Sequence, residues 1–229
     1  MPFITSFTWL HIFYFLMGYI LISGLGNNVG LHRWAGHRAI ELGKYSKNIV
    51  LYFSLMACQG HPIWWAAVHR GQHHKFSDTD KDSHSPINGK WHAFFGWELK
   101  HDPSTVNYKY AVDLMRDPIL IKTSKYYEAI IITSWIIVGL FSIDLLLWMF
   151  ILPTVLALHL EGMVNLFCHT KYGYRNCVNC STEARVGGVA IANHKTGNEI
   201  QIMHKEDADR LNKLSQRQGY GVCKGMKHN

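Results

Sequence analysis

The sequence predicts an all-α integral membrane protein, in which a stalk of about three transmembrane helices supports a helical cap on the cytoplasmic side. Three observations predict this class: long apolar stretches without Lys or Arg, clustered cations and 15 histidines. All 23 Lys and Arg residues lie in 32–125 and 169–229, whereas a soluble domain spreads its cations over its whole surface. With a net charge of +7, the basic blocks are expected to face anionic lipid head groups, and no nucleic-acid partner is predicted.

Two stretches are long and apolar enough to cross a bilayer. Residues 3–31 contain no charged side chain, and as a helix they would measure about 43 Å, more than the roughly 30 Å of a hydrocarbon core. The apolar stretch that begins at residue 126 would measure about 65 Å, enough for two crossings. Because turn-forming residues surround Ser142, we expect helices at about 126–141 and 144–168.

The apolar segment 46–68 is predicted to lie in the cap. Cationic segments flank it on both sides, and a crossing would put those flanks on opposite sides, against the positive-inside rule. We therefore expect one interfacial or cap helix there. The resulting topology places the N-terminus outside, residues 32–125 inside, the turn near Ser142 outside and residues 169–229 inside.

Composition changes sharply near the C-terminal end. Residues 1–175 form the predicted membrane domain, whereas 176–229 contain no tryptophan and one aromatic residue, Tyr220. Such a composition is typical of a soluble, weakly ordered tail. The five cysteines lack disulfide spacing, which is typical of reduced thiols facing a cytoplasm.

Histidines concentrate directly after the first predicted crossing and after the cap segment. His32 and His37 would lie about 140° apart on an α-helix, on adjoining faces. His69 and His73 would share a face, with His74 turned about 100° from His73. Imidazoles aimed at different points favour two metal ions over a single site.

Carboxylates and a third polar segment accompany these histidines. Asp78, Asp80 and Asp82 follow the second group, and their carboxylates are expected to accept the free ring N–H groups of ligating histidines. The last apolar helix carries one polar stripe, and polar groups buried in a membrane helix are costly unless they serve a site. That stripe consists of Glu161, Asn165 and His169.

Convergence of three separated segments on one side of the membrane favours a metal site over isolated surface histidines. Taken singly, His32 and His37 are typical of surface or interface residues, and Asn165 with His169 is equally typical of contacts between helices. Imidazoles with few carboxylates favour iron or zinc over magnesium or calcium, and so many ligands exceed the four of a structural zinc site. Structural roles are expected for His11, His61, His92, His101 and His159.

At these residues the chain resembles the membrane fatty acid desaturases, especially the acyl-CoA delta-9 (stearoyl-CoA-like) branch. The resemblance covers roughly residues 10–175. Its carriers are His32-Arg33-Trp34-Ala35-Gly36-His37, Trp65-Ala66-Ala67-Val68-His69-Arg70 through Asp80-Lys81-Asp82-Ser83-His84-Ser85-Pro86, and Asn165 to His169 followed by Gly173-Tyr174-Arg175.

The resemblance implies a helical membrane stalk under a cytoplasmic cap that holds two irons. It implies oxygen-dependent insertion of a double bond into a saturated acyl-CoA or acyl-lipid, in a bacterial inner membrane or the endoplasmic reticulum, with electrons from cytochrome b5 or ferredoxin. Gln59 and Trp65 match positions near the acyl tunnel, and Glu161 is expected to support the site from behind the ligands. The implied iron ligands are His32, His37, His69, His73, His74 and His169, with Asn165 binding through water.

Three departures from the family pattern keep other functions open. The second box reads His-x-x-x-His-His, a spacing used by related alkane hydroxylases, and the usual first transmembrane helix has no counterpart. A third box, His-x-x-His-His, is expected after Arg175 and is missing, which a frameshifted or truncated tail would explain. Cys177 and Cys180 with His194 give only a faint zinc-knuckle pattern. The alternatives are a lipid or alkane hydroxylase and a non-catalytic membrane protein.

Overall fold

Helices form every regular element in the described part of the chain, as predicted. The computed structural model describes residues 6–73, 76 and 80–168. The main helices are Trp9–Tyr19 continued by Ile20–Gly36, Lys44–Met56, Pro62–Val68 continued by His69–His73, His92–Gly96 continued by Trp97–Lys100, Val112–Met115, Pro118–Lys125, Tyr127–Phe141, Ile143–Leu145 continued by Leu146–Ile151, and Leu152–Cys168. The predicted tail, 176–229, lies outside the described residues.

Two of these helices are long and apolar enough to cross a membrane. They span Trp9–Gly36 and Ile143–Leu166, close to the predicted crossings. Both leave large apolar side chains uncovered by protein; Trp9, for example, is 84% exposed. Burial of such surface is favourable only in an apolar surrounding. The two helices therefore suggest membrane association.

The same two helices pack directly on each other. A Cβ at Gly18 would collide with the backbone carbonyl of Met149, so only glycine allows this approach. On the other side, a Cβ at Gly26 would collide with the backbone of Phe53, which belongs to the helix Lys44–Met56. Small residues at contact points are how membrane helices come close enough to gain van der Waals contact.

The helix break predicted near Ser142 is confirmed. Tyr127–Phe141 ends there, and the Ser142 hydroxyl accepts a hydrogen bond of 3.1 Å from the backbone N–H of Leu145 to cap the next helix. A 15-residue helix measures about 22 Å, less than the roughly 30 Å of a hydrocarbon core. The third crossing therefore stays a prediction, as does the cytoplasmic cap.

The segment 46–68 forms two helices, and the prediction of one continuous helix was wrong. Lys44–Met56 ends before Cys58 (φ 56°) and Gly60 (φ 87°), both in the left-handed region that breaks an α-helix. The next helix begins at Pro62, where a ring without an N–H is tolerated in the first turn. The break lets the second helix pack beside the N-terminal one.

Candidate metal centre

Three predicted ligands meet in one cluster. Ligand nitrogens of His32, His37 and His69 all lie within 4.8 Å of one another, and the Nε2 atoms of His37 and His69 are 3.1 Å apart. Two imidazole nitrogens on one ion, each about 2.1 Å from it, lie within about 4 Å of each other. The distances between the ligand nitrogens in this cluster are therefore close to those that a shared metal ion requires.

The backbone explains why His32 and His37 converge. Ile20–Gly36 is a π-helix, and the N–H of His37 donates to the carbonyl of His32 at 2.9 Å. A π-type turn holds more residues than an α-helical turn, so residues five apart diverge less around the helix axis than they do in an α-helix. The two rings consequently lie with centroids 4.6 Å apart. The expectation of adjoining faces assumed α-helical geometry and was wrong.

A second cluster contains His73, Asp82 and His84, whose ligand atoms also lie within 4.8 Å of one another. His73 Nδ1 is 3.0 Å from Asp82 Oδ2, and the Asp82 side chain has no exposed surface. The backbone N–H of His84 donates to Asp82 Oδ1 at 3.3 Å. A carboxylate buried this deeply requires paired partners. Sequence reasoning singled out Asp82 but assigned no role to His84, although His84 belongs to the motif that carried the resemblance.

The two clusters are neighbours. His69 belongs to the first and His73 to the second, and the centroids of their rings lie 5.4 Å apart on the π-turn His69–His73. The donors in both clusters are imidazoles and one carboxylate, a set that suits iron or zinc. The described residues thus form two adjacent groups of possible metal ligands. His74 lies outside the described residues.

The polar stripe of the last helix reaches the N-terminal helix. Asn27 lies five residues before His32 in the chain, and its Nδ2 donates to Glu161 Oε2 at 3.0 Å. Asn165 is 6% exposed. His169, like Asp78, lies outside the described residues, so the convergence of the third segment stays a prediction.

The remaining predicted site residues have contrasting surroundings. Trp65 stacks on His69 with ring centroids 4.3 Å apart, beside the first cluster. Gln59 is buried, in the break between two helices. Asp80 is exposed, and Asn88 Nδ2 donates to its backbone carbonyl.

The histidines expected to be structural all have partners outside the two groups of possible ligands, and two of these partners, Ser83 and Trp97, adjoin the second cluster. His61 caps the helix that begins at Pro62, and its Nε2 lies 3.1 Å from Thr123 Oγ1. His159 Nδ1 lies 2.7 Å from the carbonyl of Val155, one turn earlier. The similar partners are Asp144 for His11, Ser83 for His92, and Trp64 and Trp97 for His101.

A cavity of about 550 Å³ opens beside the second cluster. Trp97 lines it and also contacts the ring of His84, with centroids 5.3 Å apart. Lys81, Lys100 and Lys109 contribute to its wall, together with Asp102. Three cationic residues and one acidic residue give the wall a positive balance of charge, which favours an anionic ligand.

The chain is similar in sequence to known proteins. Residues 7–195 match the fatty acid desaturase family. A relative from Anabaena variabilis, an sn-1 stearoyl-lipid 9-desaturase, is 32% identical over 75% of this chain and 63% of its own length. An acyl-CoA C20 Delta5-desaturase from Anemone leveillei is 32% identical over 75% of this chain and 55% of its own length.

A third relative has a name that refers to an acyl-carrier-protein substrate. A hex-5-enoyl-[acyl-carrier protein] acetylenase from Moorena producens is 33% identical over 64% of this chain and 44% of its own length. The matched region thus spans between 44% and 63% of the length of these relatives. The family match covers most of the chain and contains both histidine clusters, and the chain belongs to the fatty acid desaturase family.

Proposed function

We propose that the chain is an oxygen-dependent fatty acyl desaturase that introduces a double bond into a saturated acyl chain at a histidine-ligated di-iron centre. The observation that supports this function most strongly is the pair of adjacent clusters, one around His37 and His69 and one around His73 and Asp82. Family membership supplies the reaction class, because the relatives named above modify acyl-CoA, acyl-lipid or acyl-carrier-protein substrates.

One iron would lie at the first cluster and the other beside the second, at His73. His32, His37 and His69 would bind the first, and His73 the second, together with His74, His169 and, through water, Asn165. Two bound irons would supply oxygen activation. The protein's own part is orientation: Asp82 accepts from His73 Nδ1, so that the other ring nitrogen, Nε2, would be the one that binds the iron. Trp65 covers one face of His69 and restricts water there.

The substrate would approach from the bilayer. The stalk would consist of three crossings with both basic blocks cytoplasmic, so that the clusters lie at the cytoplasmic end of the stalk. The lysine-lined cavity would take the phosphates of an acyl-CoA or of a lipid head group. Cytochrome b5 or ferredoxin would bring the two electrons, since the sequence contains no haem or iron–sulfur motif.

The direct test is product analysis together with iron content. The full chain, purified in lipid nanodiscs, should bind iron, and with a labelled saturated acyl-CoA or acyl-lipid, oxygen and an electron donor it should form an unsaturated product. We expect low turnover, because the third histidine box is missing, and a version with His-x-x-His-His grafted after Arg175 should turn over faster. Absence of bound iron in both versions, or a hydroxylated product, would contradict the proposal.

A further inference from the structure

Two arginines and one aspartate join the two histidine-bearing segments of the first cluster. Arg38 directly follows His37, and Arg70 directly follows His69. Arg38 Nε lies 2.5 Å from Asp113 Oδ2, and Arg70 Nη1 lies 2.9 Å from Asp113 Oδ1. One carboxylate therefore contacts the residue next to each of two predicted iron ligands.

Arg70 also binds the end of the N-terminal helix. Its Nε donates to the carbonyl of Gly36 at 2.6 Å, its Nη2 donates to the carbonyl of Ala35, and its Nη1 donates to the carbonyl of Tyr110 at 2.7 Å. The last carbonyls of a helix have no partner within the helix, and a cation there is favourable. Arg70 thus ties the segment of His69 to the helix that carries His32.

The network is largely shielded from water. The side chains of Arg38, Arg70 and Asp113 are 19%, 11% and 12% exposed. Burial alone would raise the pKa of the Asp113 carboxyl, but the charges and hydrogen bonds of the two arginines outweigh it and hold that pKa below its usual value. Arg38 has a φ of 57°, a left-handed conformation that costs a residue other than glycine free energy and persists only where neighbouring contacts hold it.

We propose that Asp113 is a positioning residue for the metal centre, which acts through Arg38 and Arg70 to hold His37 against His69. The inference rests on the proposed function. Ligands need to be held within about half an ångström of their productive position by groups whose own conformations are fixed. Asp113 can fix the conformations of Arg38 and Arg70 relative to each other, because it belongs to neither histidine segment and contacts an arginine of each.

The test compares Asp113→Asn with a matched control in the same region. Asp117 lies four residues further along the chain and pairs with Lys47 at 2.6 Å, but both side chains are more exposed, at 24% and 22%. Asp117→Asn removes that pair and keeps a residue that caps helices well. Iron affinity of the full chain in nanodiscs is measured by titration, with helicity and thermal midpoint recorded in parallel.

We expect Asp113→Asn to weaken iron binding about 10–100-fold, the usual effect of losing a group that orients ligands, while Asp117→Asn changes it less than about twofold at similar stability. Asp113→Glu, which keeps the charge, should recover part of the loss. Arg38→Gln is the milder second variant, because Asp113 keeps Arg70 as its partner, and we expect it to weaken binding about tenfold.

Three results would overturn the inference, and only the second of them also refutes the proposed function. Iron binding of unchanged affinity in Arg38→Gln, and in Asp113→Asn if that variant folds, would refute positioning by Asp113 and leave the proposed function intact. No iron binding by the unsubstituted chain would refute the proposed function and this inference with it. A drop in thermal midpoint without a change in iron affinity would show a structural role only and would also refute positioning.

Discussion

The second cluster makes a quantitative prediction for Asp82→Asn. Asn has nearly the same size as Asp, so the fully buried site stays filled while the negative charge is lost. The amide oxygen can still accept from His73 Nδ1, which lies 3.0 Å from Asp82 Oδ2. It accepts more weakly, because a hydrogen bond to a charged acceptor is roughly twice as strong as one between neutral groups.

The expected loss follows from the role of Asp82. Removal of a carboxylate that orients a ligating histidine lowers metal affinity about 10–100-fold, which corresponds to about 1.4–2.8 kcal/mol. Only the ion at the cluster of His73 and His84 should be affected, because Asp82 has no part in the first cluster. We therefore expect one iron to be retained with its affinity unchanged and the other to be weakened.

Asp80→Asn provides the matched control, since Asp80 is exposed and only two residues away. Stepwise iron titration of the full chain, followed by metal analysis, resolves the two binding events, and Asp80→Asn should leave both unchanged. Equal affinities in Asp82→Asn and Asp80→Asn would refute the assignment of Asp82 to the metal centre. Loss of both irons in Asp82→Asn would refute the division into two clusters.

Three further predictions concern the ligands, the pH dependence and the topology. His37→Ala should weaken iron binding by more than about 100-fold in metal analysis, because a ligand matters more than its support, whereas His159→Ala should not change it. Burial lowers the pKa of His61 to about 4, so the folded chain should lose stability as pH falls from about 6.5 to about 4, and His61→Asn should remove up to about 3 kcal/mol of that loss in thermal unfolding. Cysteines placed at Lys90 and Ser142 should be labelled from opposite sides of the membrane; labelling from one side contradicts three crossings.

The overall helical class was predictable because it depends on composition and local pattern. Apolar runs without Lys or Arg, each at least as long as a bilayer is thick, predicted the two long helices, and turn-forming residues predicted the break at Ser142. The break after Met56 was not predicted, since Cys58 has no special tendency for the left-handed conformation that it adopts. Its conformation is determined by packing with distant parts of the chain, which a local pattern does not contain.

The contacts around the site were predictable only in part, because several join residues far apart in sequence. The hydrogen bond from Asn27 to Glu161 links positions 134 residues apart, and Asp113 reaches Arg38 across 75 residues. The sequence marks Glu161 as unusual for a membrane helix, but its partner is visible only in three dimensions. Asp113, on a short polar segment, carries no such signal.

The histidine spacings acquire part of their explanation from the backbone. In an α-helix, residues four apart share a face and residues five apart do not, which led to the expectation that His69 and His73 point together and that His32 and His37 lie on adjoining faces. In a π-helix, residues five apart diverge less around the axis, while residues four apart stay close in direction, and both segments contain π-type hydrogen bonds. His32 and His37 therefore enter one cluster, and the rings of His69 and His73 stay neighbours, with centroids 5.4 Å apart. The wider turn thus brings His37 toward His32 without separating His73 from His69, so the two clusters lie side by side.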